Sequence, residues 1–379
     1  MSPDLLPGAG APLVAVSLTW REASSAMRAR ANAPMDATLY AALRAHGVEG
    51  LVEVHTCARS LWLVATPQAP WVGALLQSSV AARAGGDVLP TVYEGVTAAR
   101  HALRVALGLD SYVQGESDIG GQFLAAFDAA RAAGHSAVTL NLLQQSAARV
   151  LAEGRESGFV RPNRGLGQLA VMSLLERGVD LTVPIAVVGA GAIGGRVVAS
   201  LRRAGAVAPV LYNRTPRLDT LPLEQVARGG HAAAVVCTAG PARWFRPHAD
   251  LRHVVDLGLP PQVEDGPGVI GLDALLAGDP LRLPDERLRA AEDAVEREIG
   301  GLLARVRTIH WQRGLAGAST LRDHFMDQEL DLLLADALVA LSEDQQRKVR
   351  TATRGALRQY SHRMLTWIKQ ELAVPEENG

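Results

Sequence analysis

The first 65 residues alternate between short apolar runs and one stretch of helical spacing. Leu13-Val-Ala-Val-Ser-Leu18 predicts a strand, residues 36–47 predict a helix ending at Gly47, and Gly50-Leu-Val-Glu-Val-His55 and Ser60-Leu-Trp-Leu-Val-Ala65 predict two further strands. Between these last two lies Thr56-Cys-Ala-Arg59, short enough for a tight turn. From Thr97 to Ser157 apolar positions recur at helical spacing, with breaks near Gly115 and Gly134. Strands first and helices later predict an α/β domain.

A second pattern starts after the turn-like Arg161-Pro-Asn-Arg-Gly165. A helix over 166–177 leads into Val183-Pro-Ile-Ala-Val-Val-Gly189, then a helix over 192–203 and strands over 208–213, 233–238 and 252–257. This alternation predicts a doubly wound parallel sheet. From residue 282 onward the pattern is helical, with a break expected around Gly314–Gly317. Leu330, Leu333, Leu334, Leu338 and Leu341 keep helical spacing, as do Val349, Ala352, Ala356, Tyr360, Met364 and Trp367. Such stripes predict burial against each other and against a second subunit, hence a homodimer. The fold class is multidomain α/β: an N-terminal α/β domain over 1–160, a Rossmann-type doubly wound domain over 161–281, and an all-helical region over 282–379.

Composition changes this picture little. A chain of 379 residues, 48% apolar, has material for two or three cores. The formal charge of −1 excludes a globally basic nucleic-acid binder but leaves room for a local patch. Arg347, Arg350, Arg354, Arg358 and His362 recur at helical spacing on one face, which suits phosphate contact, dimer pairing or a solvated face balanced by nearby acids. Neither a leader pattern nor a membrane-length apolar run is seen, so the expected setting is cytoplasmic and away from membranes. Cys57 and Cys237 have no metal-like spacing and are expected as free thiols, with no metal.

The chemistry begins at Gly189-Ala190-Gly191-Ala192-Ile193-Gly194, which follows an apolar strand and opens a helix. Glycines there let backbone approach a pyrophosphate, and the helix N-terminus favours its charge. The next strand ends in Asn213-Arg214-Thr215 rather than in the acid that bonds a ribose 2′-hydroxyl. Arginine can pair with a 2′-phosphate, so NADP(H) is favoured over NAD(H).

Cys57 sits on the predicted turn, flanked by His55 and Arg59. Neighbouring positive charge favours the reactive thiolate. Cys237, in an apolar strand, is expected to be inert. A thiol together with NADPH suggests capture of an acyl group as a thioester and its reduction by hydride to an aldehyde.

Three segments together resemble the glutamyl-tRNA reductase family. Thr56-Cys-Ala-Arg59 is similar to its Thr-Cys-Asn-Arg motif. The run from Arg100-His-Ala-Leu-Arg through Gly108-Leu-Asp-Ser111 to Gly115-Glu116 and Gln122 is similar to its His-Leu-Phe-Arg, Gly-Leu-Asp-Ser and Gly-Glu blocks. The third segment is the glycine loop with Asn213-Arg-Thr215 after it. The resemblance implies that Cys57 attacks the ester of glutamyl-tRNA(Glu), releasing tRNA, and that NADPH reduces the thioester to glutamate-1-semialdehyde, the entry to tetrapyrrole synthesis. It places Thr56, Ala58, Arg59, Ser111, Glu116, Ser117, Asp118 and Gln122 around the glutamyl group, with Arg59 paired to its carboxylate. It makes His101 activity-critical, as a proton carrier or as a neutral orienting group. It also implies a C-terminal dimerisation domain and an aminomutase partner that receives the aldehyde.

The sequence departs from the family at several positions. Ala58 replaces the asparagine after the cysteine, a glutamate is replaced near Leu61, and Asp118 replaces a glutamine. Ser17-Leu-Thr-Trp-Arg21 lacks a histidine, and Asp256-Leu-Gly-Leu-Pro-Pro261 lacks an arginine after proline. Two other readings stay open. A shikimate-dehydrogenase-like NADP oxidoreductase could share the glycine loop and the Asn-Arg-Thr ending; the lack of any lysine before Lys348 counts against its usual Lys/Asp pair. A catalytically weakened relative that binds tRNA or a partner is the other.

Overall fold

The structure is a computed structural model that describes residues 13–32, 35, 37–56, 59–111, 113–162, 164–215, 217–228, 230–238, 243–247, 251–258, 260–277 and 283–373. It divides into two compact units, the first reaching Ala304 and the second beginning at Arg305.

The first unit opens with a four-stranded antiparallel sheet: β1 (Leu13–Thr19), β2 (Gly50–His55), β3 (Arg59–Ala65) and β4 (Thr91–Glu94), ordered β2-β3-β1-β4. All seven residues of β3 are buried, which explains why its sequence runs apolar without alternating. Helices α1 (Ser25–Ala31), α2 (Ala37–Ala45) and α3 (Ala69–Ala84) pack Ala31, Leu43, Val72, Leu76 and Val80 against Val14, Val16, Trp62 and Val64. Three more helices, α4 (Gly95–Leu107), α5 (Ser117–Ala132) and α6 (Val138–Glu156), pack on β1, β2, β3 and each other. The breaks expected near Gly115 and Gly134 fall between these helices.

Helix α7 (Leu166–Glu176) leads into the second sheet. Its strands are β5 (Ile185–Val188), β6 (Pro209–Asn213), β7 (Leu221–Pro222), β8 (Ala233–Val236), β9 (Val254–Asp256) and β10 (Val269–Gly271). They are parallel throughout and ordered β10-β9-β8-β5-β6-β7. The chain winds outward from β5 through β6 to β7 and then crosses back to β8 on the other side of β5, so the crevice of this doubly wound sheet lies at the carboxyl ends of β5 and β8. Helix α8 (Ala192–Arg203) follows β5, and α9 (Leu272–Ala277) follows β10.

Helix α10 (Asp285–His324) begins in this unit. Its Ala291, Ala294, Val295, Ile299 and Leu302 are buried. Ion pairs fasten the same turns to α4 and α6: Arg100–Glu296 at 2.6 Å, Arg104–Glu292 at 3.0 Å, Arg149–Glu298 at 3.0 Å, and Arg297–Glu153.

The break expected at Gly314–Gly317 is absent: α10 runs through both glycines to His324. A glycine inside a helix costs about 1 kcal/mol against alanine but removes no backbone hydrogen bond, so a long helix carries two of them. The ladder is perturbed instead over Phe325–Glu329, a π-helical turn. In the second unit α11 (Leu330–Leu338) and α12 (Glu343–Ala373) follow. Leu330 and Leu338 are buried, whereas Leu333, Val349, Tyr360, Met364 and Trp367 are exposed. Arg350 and Arg354 reach Asp331 at 2.8 and 2.9 Å, and Arg347 and Lys348 pair with Asp344, so acids balance the first half of the basic face. Among the described residues, no helix is long and apolar enough to cross a membrane.

Candidate functional site

The hairpin between β2 and β3 organises the first sheet's site. Thr56 N–H donates to the Arg59 carbonyl at 2.9 Å, and Arg59 N–H donates to Thr56 Oγ1 at 3.2 Å. Cys57 and Ala58, the two residues that join them, lie outside the described residues. Thr56 lines one cavity and Arg59 lines another.

The Arg59 cavity, about 570 Å³, is bounded by β1 and β4 residues and by Arg100, His101, Arg104 and Asp110. Arg59 is 3% exposed; its Nη2 donates to the Asp110 carbonyl at 2.6 Å, and its Nη1 is buried with no hydrogen-bond partner. A buried guanidinium stays protonated and keeps its full attraction for an anion. Asp110 is held in place by Arg104 at 3.0 Å. Burial alone would raise the Asp110 pKa, but Arg104, Arg59 and His101 together pull it below the ordinary carboxylate value.

His101 projects from α4 into the same cavity. Its ring stacks on Tyr93 at 4.2 Å, Nε2 lies 3.1 Å from Ser17 Oγ, and Nδ1 lies 3.8 Å from Asp110. Burial and the Arg59 charge, against the opposing pull of Asp110, lower its pKa to about 4. At neutral pH it is therefore an uncharged imidazole with both nitrogens facing polar groups.

The Thr56 cavity, about 520 Å³, lies between the α5 N-terminus, the segment entering α7, and α8. Glu116, Ser117, Asp118 and Gln122 line it together with His55 and Arg196. Glu116 occupies the N-cap position of α5 yet makes no side-chain cap bond. Burial, and then the neighbouring Asp118 charge, push its pKa up to about 8, so it is a protonated donor at pH 7. Asp118 is paired with Arg196 of α8 at 2.5 Å. Arg164 donates from Nε to the Gln114 carbonyl and fixes the turn before α5. Ser111 sits in the turn after α4, its N–H 3.4 Å from the Gly108 carbonyl, and lines neither cavity.

The glycine loop connects β5 to α8. Gly189 has φ +111°, and a Cβ on Gly194 would lie 1.8 Å from the Gly189 carbonyl oxygen. These two glycines allow the tight turn and the close strand–helix approach. A Cβ on Gly191, at the N-cap of α8, would meet nothing within 4 Å. Open space before a helix N-terminus fits a pyrophosphate, so the loop suits a dinucleotide. Ala190 N–H donates to Asn213 Oδ1 at 3.3 Å, and Asn213 Nδ2 donates to the Thr215 carbonyl at 2.8 Å, tying the loop to the end of β6. Ala192 and Gly191 are exposed, Ile193 lines the Thr56 cavity, and Arg214 and Thr215 are exposed beyond β6. Arg217, which the sequence reading passed over, donates to the Ala190 carbonyl at 2.8 Å and brings a second cation to this rim. At the far side, Asp256 accepts from the Gly258, Gln262 and Val263 N–H groups and holds the loop that departs from the family pattern. Cys237 lies beside it, its thiol pushed far up by burial and by Asp256, in keeping with the expected inert role. No cluster with metal-ligand geometry occurs among the described residues.

Residues 16–157 match the model of the N-terminal domain of glutamyl-tRNA(Glu) reductases. Glutamyl-tRNA reductase 1 of Pyrobaculum arsenaticum is 35% identical over 238 residues, which is 57% of this chain and 60% of that protein's length. Glutamyl-tRNA reductase 2 of the same organism is 30% identical over 311 residues, covering 76% of this chain and 73% of that protein. The chain belongs to the glutamyl-tRNA reductase family. A solved glutamyl-tRNA reductase from Methanopyrus kandleri shares the fold, with a TM-score of 0.50 at 20% identity over 96% of this chain and 99% of that one.

Among the positions singled out by that family resemblance, Arg59 and His101 share one cavity. Thr56, Glu116, Ser117, Asp118 and Gln122 share the other. Sequence reasoning missed Tyr93, Asp110 and Arg196. Asp110 lay in plain view inside Gly108-Leu-Asp-Ser111, but its role as the anchor of Arg59 and Arg104 depends on the turn after α4 lying against Arg59, the first residue of β3.

Proposed function

We propose that this chain reduces the glutamyl group of glutamyl-tRNA(Glu) to glutamate-1-semialdehyde with NADPH, through a thioester on Cys57, as the first step of tetrapyrrole synthesis. The observation that carries this reading is Arg59: a buried cation with one unpartnered nitrogen, two residues after Cys57, in a chain of this family. A glutamyl carboxylate is the anion that such a nitrogen would take, through a charge-assisted bond.

Each residue then has a task. Asp110 and Arg104 hold Arg59 in place, and neutral His101 closes the pocket wall through Ser17 and Tyr93. Protonated Glu116 offers a donor in the cavity on the Thr56 side, where Gln122 adds an amide. Gly189–Gly194 would hold the pyrophosphate of NADPH, and Arg214 with Arg217 its 2′-phosphate. Bound there, NADPH supplies hydride for the reduction. The exposed apolar face of Val349, Tyr360, Met364 and Trp367 supports a homodimer joined through the C-terminal helices.

Purified protein given glutamyl-tRNA and NADPH is expected to form the semialdehyde, and Cys57→Ser to form none. Product at the wild-type rate from Cys57→Ser would refute the thioester route. Arg214→Asp is expected to erase the preference for NADPH over NADH; an unchanged preference would remove Arg214 from the cofactor site.

A further inference from the structure

The unpartnered nitrogen of Arg59 has a rival for its charge close by. Asp110 meets Arg59 through its backbone carbonyl, at 2.6 Å, although the two side chains carry opposite charges that attract. A carboxylate bonded to a guanidinium is the stronger contact, so something must keep the Asp110 side chain away. Among the described residues its one hydrogen-bond partner is Arg104, which donates from Nη2 at 3.0 Å and from Nε at 3.4 Å. His101 is no substitute. Its ring is uncharged at neutral pH, and 3.8 Å from Nδ1 to the carboxylate is too long for a hydrogen bond.

Arg104 is itself held by α10. Its guanidinium is planar, so with Nε and Nη2 on Asp110 the remaining Nη1 points away, and Glu292 accepts that third bond at 3.0 Å. One turn away on each helix, Arg100 and Glu296 pair through two bonds of 2.6 and 3.0 Å. The Glu292 side chain is 52% exposed and that of Arg104 30%, and a pair so open to water adds little to stability. What it does is fix the plane of the guanidinium, and with it the direction of the fork that grips Asp110.

From this geometry we infer that Glu292 is a positioning residue for the proposed reaction: by holding Arg104 it keeps the Asp110 carboxylate off Arg59, so that Arg59 Nη1 stays open to the glutamyl carboxylate. The role rests on the reading of Arg59 given above. Without Glu292 the Arg104 side chain gains freedom, the Asp110 carboxylate turns to the buried cation beside it, and substrate must displace it. Such competition weakens the binding of substrate and of transition state alike, which raises KM and leaves kcat unchanged.

The test is steady-state reduction of glutamyl-tRNA by the full chain at saturating NADPH. Glu292→Ala is expected to raise KM about 3- to 10-fold, the net contribution of one hydrogen bond, with kcat unchanged. Glu292→Gln, whose amide oxygen still accepts from Arg104, is expected to recover most of that loss. Glu296→Gln weakens the neighbouring pair on the same two helices without reaching Asp110, and is expected to keep the wild-type KM. In an Asp110→Asn chain, Glu292→Ala is expected to change KM no further, because the competing charge is gone. A wild-type KM in Glu292→Ala, an equal rise in Glu296→Gln, or an undiminished effect in the Asp110→Asn chain overturns the role of Glu292. A crystal structure of Glu292→Ala reads the same role without activity: the Asp110 carboxylate is expected against Arg59 Nη1, and finding it still on Arg104 overturns the inference. Arg59→Met run in parallel separates the two claims, since a wild-type kcat/KM there refutes the carboxylate reading of Arg59 itself. A wild type that forms no semialdehyde refutes the proposed function, and the crystal structure still decides whether Glu292 keeps Asp110 off Arg59.

Discussion

Replacing Glu116 with glutamine removes one titratable proton and keeps the shape of the side chain. In the native chain this carboxyl is buried at the α5 N-terminus with its pKa raised from 4.5 to about 8 by burial and by Asp118. The native state therefore keeps a proton that the unfolded chain releases above pH 4.5. Stability conferred by this group is greatest below pH 4.5, falls as pH rises, and levels off above about pH 8. Each pH unit between those limits costs about 1.4 kcal/mol, so the loss reaches roughly 3 kcal/mol at pH 7 and about 5 kcal/mol above pH 8. Glutamine has no such term. Urea unfolding of wild type and Glu116→Gln, at half-unit steps from pH 4.5 to 9, isolates the group because the titrations of residues that do not touch it cancel in the difference. The variant is expected to gain on wild type steadily up to about pH 8. Two parallel stability curves would refute a protonated Glu116, and with it the donor assigned to the Thr56 cavity.

His101→Gln tests the opposite sign. With a native pKa of about 4 against 6.5 unfolded, His101 favours the native state less as pH falls, and the wild type is expected to lose about 3 kcal/mol between pH 6.5 and 4 that the variant keeps; equal acid sensitivity in urea melts would show a charged His101. Arg59→Met removes the unpartnered cation and is expected to lower kcat/KM for glutamyl-tRNA by about 10- to 100-fold, the worth of one charged hydrogen bond, with far-ultraviolet circular dichroism unchanged; an unaltered kcat/KM would mean that no substrate carboxylate reaches it. Gly194→Ala places a methyl group 1.8 Å from the Gly189 carbonyl oxygen, so NADPH binding followed by its fluorescence is expected to weaken by at least about tenfold; wild-type affinity would show that the loop does not cradle the cofactor.

Much of the scaffold was legible because it rests on local pattern. The runs Leu13–Leu18, Gly50–His55 and Ser60–Ala65 coincide with β1, β2 and β3 to within a residue, and the helix expected over 192–203 is α8. Where the pattern overreached, backbone chemistry intervened. Strand β5 is shorter than Val183–Gly189 because proline lacks the N–H a ladder needs and Gly189 turns at φ +111°. The expected break at Gly314–Gly317 treated glycine as a stop, whereas it is only a weak helix former. The division of the site was not legible at all. Thr56 and Arg59 are near neighbours in sequence but line different cavities, and that follows from which helices cover each side of the hairpin.

The departures from the family pattern weigh differently once their surroundings are known. Leu61, where the family carries a glutamate nearby, is fully buried in the middle of the first sheet, so its change alters packing and not a surface that substrate could touch. Ser17, in the segment that lacks the family's histidine, supplies the hydroxyl that His101 Nε2 meets at 3.1 Å. Asp118, where the family has glutamine, acquires Arg196 as a counter-ion, and its charge in turn helps keep a proton on Glu116. An amide at 118 would do neither. Ser17 and Asp118 therefore each have a partner of matching chemistry in this chain, Leu61 has an apolar interior, and the buried Arg59 keeps one unpartnered nitrogen. Random decay in a weakened relative would leave unpaired charges and vacant contacts around these positions; Asp118→Gln, which restores the family residue but strands Arg196, is accordingly expected to lower the Glu116 pKa and slow the reaction, and a faster enzyme would show that the Asp118–Arg196 pair is itself the defect.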